Sequence, residues 1–257
     1  MPPRRLKPSS RCFNGGYNLF LSENDLILFS GDSITDGNRV KKMDCNHIMG
    51  HGYQYIISAE LALENASRMP KFANKGYSGA TMEDLFAKWQ ADVIDNSPTV
   101  LSILAGVNDG YFGYLRGLSV EETDLKYKKS LSEAIEITQK KLGKIRIIIC
   151  EPFYFPLGEQ AFSDRRIPHP EGEEPMENFG MEKDCSHVAF RVEATERIRL
   201  SAKETAEKYE CVFVPLYDRF SEEIQKSRAE YFLWDGTHPT VAGHMLIAEE
   251  WLKANNI

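Results

Sequence analysis

The sequence predicts an α/β fold, a three-layer α/β/α sandwich on a parallel sheet, and three observations carry that prediction. Short apolar or β-branched runs recur along the chain, with helix-length stretches between them. Strands alternating with helices require crossover connections, which bury a parallel sheet on both faces. Polar clusters bracketed by glycine follow several of these runs, the first being LFSGDSITDG at residues 28–37. In open parallel sheets the strands' carboxyl ends are where loops converge on ligands.

Taken in order, strands are expected near 26–30, 71–74, 99–105, 145–150 and 211–215. Helices are expected over 53–66, 81–95, 121–142, 188–209 and 239–254. The third has the clearest period: Tyr127, Leu131, Ala134, Ile135, Thr138 and Leu142 share one face, and Gly143 stands at the stop. The stretch from Pro152 to His187 breaks the rhythm with Pro, Gly and acidic residues and reads as a surface excursion over 152–187. A chain of 257 residues with 42% hydrophobic content fits one domain, 1–257, preceded within it by an extension over 1–24.

Charge and cysteine usage exclude several classes. A net charge of −7 argues against a general nucleic-acid or anionic-membrane binder, which needs clustered Lys and Arg. The basic start, with Arg4, Arg5, Lys7 and Arg11, has no apolar run behind it and reads as a draped tail rather than a signal peptide. Nothing reaches the length of a membrane span. Cys12, Cys45, Cys150, Cys185 and Cys211 are odd in number and scattered, which favours free thiols and a cytoplasmic location.

Four strand-end clusters carry the chemistry: GDSITDG with Ser33, NKGYSG with Gly76, LAGVNDG with Asn108, and WDGTHP with Asp235 and His238. A serine hydroxyl is a poor nucleophile until an imidazole takes its proton, so Ser33 needs a base, and His238 is the candidate. Asp235, three residues earlier, can hold that imidazole in one tautomer and stabilise its charged form. Pro239 keeps His238 out of the helix that follows. Attack on an ester carbonyl creates an oxyanion, for which the donors are the backbone N–H of Ser33, that of Gly76 and the side-chain amide of Asn108. The scheme calls for no metal and no cofactor.

These blocks, Gly31-Asp32-Ser33-Ile34-Thr35-Asp36-Gly37, Gly76, Gly106-Val107-Asn108-Asp109 and Asp235-Gly236-Thr237-His238-Pro239, resemble the SGNH hydrolases, or GDSL-type esterases and lipases. They stand in the family's order and spread over most of the chain. The resemblance implies a flavodoxin-like sandwich with a five-stranded sheet, Ser33 as nucleophile, His238 as base, Asp235 as its partner, and an oxyanion hole from Ser33, Gly76 and Asn108. It also implies short-acyl esters as substrates, among them acetylated sugars, with lysophospholipids or thioesters as the alternative. Ile34 departs from the family's usual Leu, and the excursion departs from its compact members.

Other polar residues are assigned plainer roles. Ser33 alone would read as a helix cap, Asn108 as an Asx turn, and Asp109 remains structural. His47 and His51 have zinc-motif spacing with Cys45 nearby, but Ile48 replaces the glutamate such a site needs, so they read as half-exposed loop residues. His244 is expected to pack within the last helix, and His169 and His187 to be solvated. Tyr77, Tyr111, Phe112, Tyr114, Phe153, Tyr154, Phe155 and Trp234 flank the blocks and divide between pocket and core. Two competitors are kept. A metallophosphoesterase would need clustered His and Asp, which GVND lacks; a non-catalytic binding module would lack the nucleophile, base or amide. The partner is a small ester, and fold and motif leave the oligomeric state open.

Overall fold

The sheet is five-stranded and wholly parallel in the order β2-β1-β3-β4-β5. Its strands are β1 (Leu26–Gly31), β2 (Lys71–Gly76), β3 (Val100–Leu104), β4 (Arg146–Cys150) and β5 (Val212–Val214). The computed structural model describes residues 21–40, 47–157 and 185–257. The basic start, Cys45, His169 and most of the excursion lie outside the described residues, as do Cys12 and the body of the 1–24 extension.

Period-two alternation splits the strands' side chains between two cores. Ile27, Phe29, Ile148, Cys150 and Val214 face one layer, whereas Leu28, Leu101, Ile103, Ile147 and Ile149 face the other. Each fully buried Leu or Ile contributes about 1.5–3 kcal/mol, which is why near-continuous apolar runs mark these central strands. Helices α2 (Tyr53–Glu64), α7 (Tyr217–Lys226) and α9 (Val241–Ala254) pack on the first layer. The second is covered by α3 (Met82–Ala87), α5 (Val120–Leu142) and α6 (Cys185–Lys208).

The expected strands and long helices are present, with shifts of a few residues at their ends. The helix expected over 81–95 is instead α3 followed by a π-helical turn, Gln90–Ile94. Four helices were not anticipated: α1 (Ser33–Asp36), α4 (Val107–Leu115), α7, and α8 (Ala229–Phe232). Of the excursion, residues 152–157 are described and irregular, while its expected end at His187 already belongs to α6. Among the described residues no helix is long and apolar enough to cross a membrane.

Because β2 lies on one side of β1 and β3 on the other, successive connections diverge between β1 and β3. That divergence opens a crevice at the carboxyl ends of these two strands, the usual ligand position in such sheets.

Candidate active site

Ser33 follows β1 directly. Asp32 is the N-cap of α1, its Oδ1 accepting the Ile34 N–H at 3.0 Å, which leaves the Ser33 hydroxyl free of capping duty. The hydroxyl meets His238 Nε2 at 2.7 Å. His238 Nδ1 in turn meets Asp235 Oδ2 at 2.6 Å. The other carboxylate oxygen of Asp235 accepts two backbone N–H groups, from Thr237 at 2.9 Å and His238 at 2.6 Å. One loop, pinned by the antiparallel bridge between Leu233 and Pro239, therefore fixes acid and imidazole together. The ring of Trp234 stacks on His238 with centroids 5.6 Å apart.

Electrostatics sharpen this arrangement. For His238, burial opposes the charged ring, but the hydrogen bond and charge of Asp235 and the charge of Asp32 prevail and raise its pKa. For Asp235, burial favours the neutral acid, yet the His238 contacts and the backbone donors hold its pKa below the usual carboxylate range. Both shifts favour the imidazolium–carboxylate pair. Asp32 is fully buried and pushed up to about 6, chiefly by loss of solvent, and its Oδ2 has no hydrogen-bond partner.

Asn108, on the first turn of α4, donates from Nδ2 to Ala80 O at 3.1 Å, which fixes the amide and leaves its second N–H unspent. Gly76 does not match the role expected of it. Its N–H is spent on Asn74 Oδ1 at 2.8 Å, and it is a close-packing residue, since a Cβ there would lie 2.3 Å from Asp36 N. Three residues on, Tyr77 to Ala80 form a turn closed by Ala80 N–H on Tyr77 O at 3.0 Å, with Gly79 at φ 79°. Gly79 is exposed, carries no close neighbour at its Cβ position, and precedes the residue that anchors Asn108. The cue in the sequence was the second glycine of NKGYSG, at the place where a turn needs a positive φ.

Asp109 is structural as expected: both its oxygens accept the Met82 N–H at the start of α3, at 3.2 and 3.1 Å. His244 is buried as expected, and its Nδ1 accepts the first N–H of α2, from Tyr53 at 3.1 Å. His187 departs from the expectation of a solvated residue. It is fully buried on α6, stacked on Tyr114 at 4.4 Å, because the helix starts earlier than the excursion was drawn. His47 and His51 are exposed, and among the described residues no group of three or more His, Cys, Asp or Glu could hold a metal ion. Phe153 and Tyr154 belong to the core. Sequence reading missed Arg39, whose guanidinium donates to Gly76 O at 2.8 Å and pairs with Asp36 at 3.2 Å.

Residues 29–246 match the GDSL-like lipase/acylhydrolase family. The chain is 29% identical over 236 residues to an acetylxylan esterase of Geobacillus stearothermophilus, covering 91% of this chain and 94% of that protein. A crystal structure of a catalytic mutant of the acetylxylan esterase Axe2 from the same organism superposes with TM-score 0.72 at 26% identity, covering 92% of this chain and 96% of the other. A GDSL-like lipase from Parabacteroides merdae superposes with TM-score 0.72 at 29% identity, covering 93% and 99%.

Proposed function

From the premise that this chain belongs to the GDSL-like lipase/acylhydrolase family and is a carboxylic ester hydrolase, we propose that it removes acetyl groups from acylated carbohydrate with Ser33, His238 and Asp235 as its triad. The observation that most supports the triad is the unbroken relay of 2.7 Å and 2.6 Å from the serine hydroxyl to the carboxylate. Support for the acetylated sugar comes from the acetylxylan esterases that the chain resembles along nearly its whole length.

In this reading Ser33 Oγ attacks the ester carbonyl while His238 Nε2 takes its proton, and Asp235 holds the ring in the tautomer whose Nε2 is bare. The oxyanion is received by the backbone N–H of Ser33, the free N–H of Asn108 Nδ2 and, in place of Gly76, the N–H of Gly79. His238 then protonates the departing alcohol, leaving an acetyl-serine. Water, deprotonated by the same imidazole, attacks that ester, and the proton returns to Ser33 as acetate leaves. The thiols of Cys150, Cys185 and Cys211 are free, which supports a reducing, cytoplasmic setting.

The test compares wild type with Ser33→Ala on p-nitrophenyl esters from acetyl upward and on acetylated xylo-oligosaccharides, with a chelator present. Turnover of acetyl esters that falls close to background in the variant is expected. Equal activity of the two proteins would remove Ser33 from the mechanism, and a preference for long acyl chains would favour the lysophospholipase-type reading.

A further inference from the structure

Helix α6 crosses beside the site and sends one fully buried arginine toward the triad loop. Arg191 Nη2 donates to Thr237 Oγ1 at 2.9 Å, and Thr237 N–H is one of the two donors that hold Asp235 Oδ1. The guanidinium carbon stands over the Tyr154 ring, 3.9 Å from its centroid, with the Tyr111 ring of α4 at 5.5 Å. A guanidinium held between two rings and a hydroxyl presents its charge in one fixed orientation.

We propose that Arg191 is a positioning residue for this esterase, holding the Asp235–His238 turn through Thr237 and setting a buried positive charge beside that turn. The charged and titratable groups that face His238 come from four elements. Asp235 on its own loop and Asp32 after β1 favour the imidazolium, Arg191 from α6 disfavours it, and His244 on α9 lies close enough to feel its charge. Beside Arg191 itself stand Tyr111 and Tyr154, and one turn earlier on α6 His187 is stacked on Tyr114.

The consequence is a compromise between two needs of the reaction. The His238–Asp235 pair must stabilise positive charge in the transition state, yet the ring must be uncharged when substrate arrives. Asp235 and Asp32 serve the first need, and a buried cation on the far side of the loop serves the second.

This inference rests on His238 being the general base, and Ser33→Ala serves as the separate control for that assignment. The experiment is the pH profile of kcat/KM on p-nitrophenyl acetate for wild type, Arg191→Gln, Arg191→Lys, Thr237→Val and Thr237→Ser. Arg191→Gln should move the acid limb upward, whereas Arg191→Lys should leave it in place. Thr237→Val, which removes the hydroxyl but no charge, should lower kcat roughly five- to tenfold with KM and the limb unmoved, and Thr237→Ser should restore it. An unmoved limb in Arg191→Gln, or a Thr237→Val enzyme with wild-type kcat, would overturn the proposal while Ser33→Ala remained inactive. If Arg191→Gln does not fold, the comparison of Thr237→Val with Thr237→Ser decides.

Discussion

A serine after a strand is ordinarily a cap, and at the scale of single residues the chain separates that duty from the attack proposed for Ser33 by placing Asp32 in front of it. A second division of labour lies in Asp235, whose two oxygens do different work. Oδ1 collects two backbone donors and Oδ2 meets the imidazole. In Asp235→Asn the amide oxygen must stay with the backbone donors, so its NH2 group faces His238 Nδ1 and forces the proton onto Nε2. The ring then cannot accept from Ser33, and kcat should fall by about four orders of magnitude with the fold intact, read by steady-state kinetics beside circular dichroism. In the wild type, the raised pKa of His238 means that kcat/KM rises with pH through a value above that of free histidine, since only the neutral ring accepts the proton. A limb at or below the free-histidine value would contradict the balance of burial and charge described for this ring.

At the scale of elements, the loop between β2 and α3 carries one of the donors proposed for the oxyanion. Arg39 braces it, holding Gly76 O at 2.8 Å while its guanidinium lies 5.3 Å from the Tyr77 ring centroid. The loop's two glycines make opposite predictions. Gly76→Ala drives a Cβ to 2.3 Å from the backbone of Asp36, so soluble protein with native melting behaviour is not expected. Gly79→Ala meets no atom and strains only a positive φ, so the protein should fold while kcat drops with the displaced donor. A folded Gly76→Ala enzyme with a selective loss in kcat would return the donor role to Gly76. The elements legible in the sequence were those with strong periodicity. Strands such as Arg146–Cys150 announce themselves by a run of isoleucines, and Val120–Leu142 by its apolar face. Helix α4 was hidden because its sequence, VNDGYFGYL, carries two glycines and was read as a catalytic block; Gly113 is there because Thr123 Oγ1 would lie 2.4 Å from a Cβ. Such close approach between helices leaves no trace in a one-dimensional pattern. The candidate triad, by contrast, was legible as residue blocks: Ser33 follows β1 directly, whereas Asp235 and His238 stand on the loop between α8 and α9, where the tight spacing of WDGTHP rather than a strand end marked them.

For the molecule as a whole, the same burial that shapes the site sets how stability responds to pH. Asp109 lies fully buried beneath the crevice and is pushed up to about 8, first by loss of solvent, then against the Met82 N–H that it accepts, with Asp32 and Asp84 adding repulsion. The folded protein therefore keeps a proton on Asp109 that the unfolded chain releases near the ordinary aspartate value of 3.8. Wherever the native state binds more protons, stability falls as pH rises, so Asp109 draws stability down across the interval from about 4 to about 8. His244 acts in the opposite sense. Burial, with help from His51 and His238, lowers its pKa to about 4, and its neutral Nδ1 accepts the first N–H of α2. The unfolded chain takes up this proton first, so stability from His244 is present above the ordinary histidine value of 6.5 and is lost as pH falls toward 4. The two slopes oppose each other between about 4 and 6.5, so these groups should leave the melting temperature nearly level there and draw it down from about 6.5 to about 8. Asp109→Asn keeps an oxygen for the Met82 N–H but cannot ionise, so its melting temperature should hold between about pH 6.5 and pH 8, where that of wild type declines, and should rise from about pH 4 to pH 6.5 as the His244 slope stands alone. His244→Ala should do the reverse, leaving the Asp109 decline to run from about pH 4 to about pH 8, while losing about 1 kcal/mol at neutral pH through the uncapped N-terminus of α2. Melting curves of the three proteins across that range would separate the two carriers, and parallel profiles would show that neither group titrates out of register with the unfolded chain.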